Sequence, residues 1–426
     1  MAIKTNIELR NQVMYSVYVR NYSEDGTFAA VERDLDRIKS LGVDIIWLMP
    51  IHPVGEKAKK GELGSPYAIK DYRAVNPEFG TMDDFKSLVN AIHDKGMKCI
   101  IDVVYNHTSP DSWLVENHPE FFYKKADGSM GNRVGDWSDI VDLDYNNKDL
   151  WEYQIDTLKM WAGIVDGFRC DVAPLIPLEF WMKAREEVDK VNPECFWLSE
   201  SVEPDFITYL RSQGMVALSD SEVYRVFDVC YDYDIYQIFR KYVSGECALS
   251  KYVERVNLQE YIYPANYVKL RYLENHDQDR AKSFIHTQEE LMNWTAFIYF
   301  QKGMTLLYCG QETENDNRPS LFDKDNVKWN TGYDISEFMH KLYEIKKTIM
   351  PANSCYSLKA YDEADAMVGT HTFGDKTVTG IFNLKNKNLT VPVELEDGEY
   401  VNVLTGDKVT VTGGMVSTSL CPIIIS

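Results

Sequence analysis

Strand-like apolar runs alternate with helix-like patterns along most of this chain, which restricts it to a parallel α/β architecture. MYSVYVR (14–20) reads as a strand. A helix follows through Val31, Leu35, Ile38 and Leu41, apolar at three-to-four spacing, and stops at Gly42. VDIIWLMP (43–50) is the next apolar run, closed by proline. The helix after it carries Phe85, Leu88, Val89 and Ile92 on one face, with Asp83 and Asp84 in its first turn and Gly96 at its end. Further runs are MKCIIDVV (97–104), IVDGFRC (164–170), CFWLS (195–199), MVALS (215–219), YVKLRYL (267–273) and MTLLYC (304–309). Strands buried on both faces give continuous apolar runs, and the βα alternation implies a parallel sheet. Eight such units point to a closed barrel; an open doubly wound sheet shares the period.

The regularity breaks twice. Residues 108–146 form a long connection rich in Asp, Asn, Gly and aromatics, which reads as a small inserted subdomain after strand three. After residue 351 the pattern changes to short alternating runs with Gly, Asn and Asp turns, as in KTVTGIFNLKNKNLTVPVELEDGEYVNVL. The expected organisation is therefore a barrel over 1–107 and 147–351, the insertion over 108–146, and a C-terminal antiparallel β-sandwich domain over 352–426.

The chain holds 66 Asp+Glu against 45 Lys+Arg, a net charge of −21 with no basic block. Nucleic acid and anionic membranes both need clustered cations, so neither is expected as a partner; a neutral ligand is compatible. The start of the chain has no apolar h-region, and no run of apolar residues is long enough to span a bilayer. Cys99, Cys170, Cys195 and Cys309 lie within or beside apolar runs and read as buried thiols, which fits a reducing compartment. The expected location is the cytoplasm, or outside the cell if a signal peptide has been removed.

In a parallel barrel the reactive side chains gather at the carboxyl ends of the strands. Those ends supply Asp102, Asn106 and His107 after strand three, Arg169 and Asp171 after strand four, and Glu200 after strand five. Asn275, His276 and Asp277 follow strand seven. Three carboxylates, one arginine and two histidines converging on one rim suit hydrolysis of a glycosidic bond, where one carboxylate attacks and a protonated carboxyl donates to the leaving oxygen. Arg169 stands two residues before Asp171, on the same side of its strand, where a guanidinium would keep that carboxylate ionised and oriented. Glu200 follows Phe196, Trp197 and Leu198, whose apolar bulk would desolvate it and raise its pKa.

The motifs DVVYNH (102–107), GFRCDVA (167–173), WLSE (197–200) and ENHD (274–277) resemble the four ordered signature regions of the α-amylase superfamily, glycoside hydrolase family 13. IIWLMPI (45–51), SPYAIKDY (65–72), NPEFGT (76–81), VDLDYNN (141–147) and LLYCGQE (306–312) are similar to further family segments, so the resemblance spans about three quarters of the chain. It implies a (β/α)8 TIM barrel carrying the insertion and the C-terminal β domain. It also implies a retaining hydrolase of α-1,4-glucosidic bonds in starch-type glucans or maltooligosaccharides. Asp171 is then the nucleophile, Glu200 the acid/base and Asp277 the third carboxylate. His107 and His276 hydrogen-bond the glucose at the cleaved position, Tyr67 stacks beneath it, and Arg169, Asp102 and Asn106 support the set. Trp113, Trp137 and the run Phe121–Phe122–Tyr123 are candidates for further sugar contacts.

The chain departs from the family pattern where Pro174 and Leu175 stand in place of a Lys-His pair that serves the cleft and a calcium ion, and at Thr305, where proline is usual. No cofactor is expected, and calcium is not expected. An α-glucosidase, a neopullulanase-like enzyme and a 4-α-glucanotransferase share the same residues. A non-catalytic binding subunit would lack them, and a phosphate-binding barrel would want a glycine-rich loop where ENHDQDRAKS is acidic.

Overall fold

The computed structural model describes residues 5–134 and 137–426. Eight parallel strands close in chain order: Val13–Val17 (β1), Ile45–Leu48 (β2), Lys98–Val103 (β3), Gly167–Cys170 (β4), Phe196–Ser199 (β5), Val229–Tyr231 (β6), Lys269–Arg271 (β7) and Met304–Tyr308 (β8). β8 returns to pair with β1, so the barrel has no open edge. The strands are buried almost throughout because the helices cover their outer faces, which is why seven of the eight read as apolar runs. Gly167 lets β4 approach β5 closely: a Cβ there would lie 2.4 Å from the Phe196 carbonyl oxygen.

The sixth strand corrects the sequence expectation. MVALS (215–219) lies outside the barrel as an extended segment, its Leu218 N–H bonded to Pro174 O at 2.9 Å and its Val216 44% exposed. It leads into the Ser219–Glu222 capping box of a short helix, Asp220–Val223. The true β6 is only three residues long, and buried Asp228 and Asp232 on either side break its apolar run. β7 is equally atypical. Its Lys269 and Arg271 are wholly unexposed, Lys269 paired with Asp220 and Asp234, Arg271 with Asp232.

The insertion is tied to the barrel by a two-residue antiparallel pairing of His107–Thr108 with Val141–Asp142. Phe121 and Phe122 are buried inside it. At the far end, Cys355–Tyr361 (β9), Ala366–Phe373 (β10), Lys376–Asn383 (β11), Thr390–Pro392 (β12), Gly398–Val401 (β13), Lys408–Val411 (β14), Met415–Ser417 (β15) and Ile423–Ile425 (β16) make the C-terminal domain. β9, β10, β11 and β16 form an antiparallel sheet, while β12 pairs with β15 and β13 with β14. Helix Gln288–Phe300 is buried along most of its length because it packs between barrel and sheet. Its Phe300 ring sits over Gly369 and Gly380, paired across β10 and β11, where a Cβ would come within 2.7 and 2.8 Å of it. Among the described residues no helix is long and apolar enough to cross a membrane, and all eight cysteines are free thiols.

Candidate active site

At the carboxyl ends of β3, β4 and β5, one buried guanidinium organises three carboxylates. Asp102 and Arg169 are register partners on β3 and β4. Arg169 Nη1 donates to Asp102 Oδ1 at 2.8 Å and to Asp171 Oδ1 at 2.9 Å, and Nη2 lies 2.9 Å from Glu200 Oε1. Arg169 is fully buried, its cation 5.2 Å from the Trp47 ring centre and 5.5 Å from that of Tyr231. Val172 follows Asp171 in a left-handed conformation (φ 35°, ψ 41°), which is costly for a β-branched residue. That turn aims its N–H at Glu200 Oε2, 2.8 Å away.

From β7, Asp277 Oδ2 lies 3.0 Å from His276 Nε2, and the same nitrogen meets Tyr67 Oη at 2.6 Å. Tyr67 Oη also donates to Asp102 Oδ2 at 3.2 Å. The Tyr67 and His276 rings stack 5.5 Å apart at 16°, and Trp47 meets His276 edge-on. Asp102 to Asp277 are thus joined through Tyr67 and His276 in one continuous network.

The electrostatics separate the carboxyls. Burial pushes the Asp171 carboxyl up to about 7, with Arg169 opposing and Asp102 and Asp277 reinforcing the rise. Burial lifts Glu200 well above the ordinary glutamate value, again against Arg169 and with the charges of Asp171 and Asp277 adding to it. Asp277, although burial opposes its charge, is held below the ordinary value by His276 and Arg169. Within this cluster Asp171 and Glu200 are pushed toward the neutral form and Asp277 toward the charged one. Of the residues expected to desolvate Glu200, Trp197 faces the helix layer, against Trp181 and Phe227, and the carboxyl itself is buried in the wall of a cavity.

That cavity, of about 340 Å³, is lined by Asp171, Glu200 and Asp277 together with Tyr67 and His107. Arg169, Asp102 and His276 lie beneath its surface and hold the exposed groups in place. Asn106 joins the insertion to the barrel through its carbonyl, which accepts from Leu143 N at 3.0 Å, while its Nδ2 lies 3.2 Å from His107 Nδ1. Trp137 also lines the cavity, 5.7 Å from the His107 ring. Trp113 does not: it stacks on Tyr153 outside the cleft, and Tyr123 is covered by the Arg133 guanidinium.

Beside Asn106 the acidic side chains of the insertion face a guanidinium. Asp142 and Asn106 border one small cavity, and Asp142 Oδ1 is buried without a hydrogen-bond partner. Yet Arg133 Nη1 stands 3.8 Å from the other oxygen of Asp142, its backbone N–H donates to that oxygen at 2.7 Å, and Nη2 is 3.8 Å from Asp144. Leu175 stands on the same wall.

Compared with known proteins, residues 16–129 and 133–356 match the family described as alpha amylase, catalytic domain, and residues 357–425 match the bacterial alpha amylase C-terminal domain. The chain belongs to the α-amylase family. Among solved structures it is similar to an α-amylase from Lactobacillus plantarum, at 47% identity and a TM-score of 0.96 over 99% of both chains. It also resembles a noncanonic maltogenic α-amylase from Thermotoga neapolitana, at 33% identity and a TM-score of 0.87, covering 98% of this chain and 99% of that one. A curated relative, the α-amylase MalA of Haloarcula japonica, is 26% identical over 75% of this chain, which spans only 46% of that protein's length.

Several residues of this α-amylase-family cavity escaped sequence reasoning. Tyr233 lines it, with Asn275 Nδ2 3.4 Å from its hydroxyl, and beneath it the Tyr231 hydroxyl accepts from Arg169 Nε at 3.2 Å. Tyr231 ends β6 and Tyr233 begins the helix after it, and the short strand between two aspartates leaves no apolar run to mark them. Phe206 comes from helix Pro204–Ser212 and Phe322 from the loop after β8, and neither lies at a strand end.

Proposed function

We propose that the protein hydrolyses α-1,4-glucosidic bonds in starch-type glucans or maltooligosaccharides by double displacement. The observation that carries this is the shared guanidinium: Arg169 contacts Asp171 and Glu200 together, while the Glu200 carboxyl is raised the more strongly of the two. Asp171 attacks the anomeric carbon and forms a glycosyl ester as the C–O bond to the leaving sugar breaks. Glu200 gives its proton to the departing oxygen, then takes one from the water that attacks the ester and regenerates Asp171. Asp277 holds sugar hydroxyls beside the reacting ring and His107 hydrogen-bonds it. Tyr67, pinned by His276 and Asp102, provides the stacking face. Arg169 and Asp102 orient Asp171, and Asn106 fixes His107.

Hydrolysis needs no metal in this scheme, and the Arg133–Asp142–Asp144 cluster supports calcium independence. The buried thiols support a cytoplasmic location. The domain boundaries at 107/108, 146/147 and 351/352 are part of the same proposal. The test is a product profile from starch, pullulan and maltotriose. Maltooligosaccharides from starch with pullulan left intact are expected; panose from pullulan, or chain redistribution without net reducing ends, would replace the reading with a neopullulanase or a glucanotransferase.

A further inference from the structure

The two ends of the catalytic cavity are built differently. If Asp171 attacks and Glu200 serves the leaving oxygen, as proposed above, the sugar ring held by Tyr67, His107 and Asp277 belongs to the non-reducing side of the cut. The cavity wall beyond Tyr67 and His107 comes from three loops that meet. Lys60, after β2, pairs with Asp139 of the insertion at 3.0 Å. Leu63 N donates to Phe322 O at 2.9 Å and Glu62 N to Asp323 Oδ1 at 2.8 Å, which joins the same loop to the one after β8. Gly61 has φ +66° and packs so closely on Phe322 that a Cβ would lie 2.5 Å from that residue's own Cβ. Arg20, itself buried, anchors the loop from below by donating to Gly64 O at 2.9 Å. Lys60, Asp139 and Phe322 all line the cavity, so the joined loops form part of its wall.

Beyond Glu200, helix Pro204–Ser212 carries Phe206 on the cavity wall and Tyr209 one turn on, 57% exposed. Their rings are nearly parallel, 14° apart with centres 6.4 Å from each other. Flat aromatic faces in sequence suit the apolar faces of successive sugar rings, and they continue outward from the leaving-group side.

We infer that the Lys60–Asp139 strap and Phe322 close the cleft on the non-reducing side, while Phe206 and Tyr209 carry the chain on the leaving-group side, so that the enzyme cuts short units from the non-reducing ends of α-glucans. This rests on the proposed function and adds the direction and mode of attack. A free chain end fits against the strap; an internal segment would have to pass through it.

The experiment compares maltoheptaose derivatives that carry a chromogenic aglycone, one with a free non-reducing end and one with that end blocked as a cyclic acetal. The blocked compound should be cleaved at least about tenfold more slowly. In the double variant Lys60→Ala/Asp139→Ala, checked for folding by its melting curve, the blocked compound should recover toward the free one. Tyr209→Ala should lower kcat/KM for long chains severalfold more than for maltotriose. Equal rates for blocked and free compounds in the unmutated enzyme would overturn the inference while leaving the proposed hydrolysis standing. No cleavage of the free compound would remove the proposed function and this inference with it.

Discussion

At the scale of single residues, the account turns on Asp171 and Glu200 having different tasks under one guanidinium. Asp171→Asn should abolish turnover with the fold retained, since an amide cannot form the glycosyl ester. Glu200→Gln should be nearly as damaging on natural glucans, where removing a general acid costs about 10²–10⁴-fold, but much milder on a substrate whose leaving group needs no proton. Equal losses on both substrates, measured by steady-state kinetics, would show that Glu200 is no proton donor. The pH profile follows from the same pair. Asp171 must be ionised, so kcat/KM should fall toward acid as it takes up a proton, at a pH above the ordinary aspartate range because burial has raised it. Glu200 must be protonated, so activity should fall toward alkali as it loses that proton, at a higher pH still. Arg169→Gln should move the acid limb further up, since the guanidinium is what opposes the rise; an acid limb near the free-aspartate value of about 3.9 would contradict this. These residues were legible because each sits just past an apolar strand, where a charge is conspicuous. Tyr231 and Tyr233 were not, because the strand before them is short and flanked by aspartates.

At the scale of elements, β6 and β7 show where apolar patterning stops reporting burial. Lys269 is unexposed yet carries a charge matched by Asp220 and Asp234. Removing one partner of such a buried set leaves uncompensated charge, so Lys269→Met should cost about 3–5 kcal/mol of stability. Adding Asp220→Asn and Asp234→Asn to that variant should restore much of the loss in urea unfolding; no recovery would mean that the lysine acts through its stem alone. The insertion was readable as an excursion from its length and composition, but its attachment was not. The contact of Arg133 with Asp142 and Asp144 joins residues whose spacing follows no secondary-structure period. If that guanidinium supplies the positive charge between the acidic side chains, dialysis against EDTA should leave activity and Tm unchanged. A fall of several degrees that calcium alone restores would contradict it.

At the scale of the whole molecule, the barrel brings side chains more than 200 residues apart into one cavity, as with Tyr67 and His276. The barrel follows from the alternation of apolar runs and amphipathic helices together with the signature motifs. What the sequence left open is how the loops after β2 and β8 and the insertion meet at the cavity wall, since they join through backbone and side-chain contacts between segments far apart in the chain. The central claim is that Asp171 and Glu200 lie close enough for direct attack, about 5–5.5 Å between carboxyls, with no water interposed. Two displacements at the anomeric carbon must then return its original configuration. The decisive measurement is a proton NMR time course on maltooligosaccharide hydrolysis, begun before mutarotation mixes the anomers. The α-anomer should appear first and the β-anomer only as mutarotation proceeds; a β-anomer at the earliest times would mean a single displacement by water and would contradict the account.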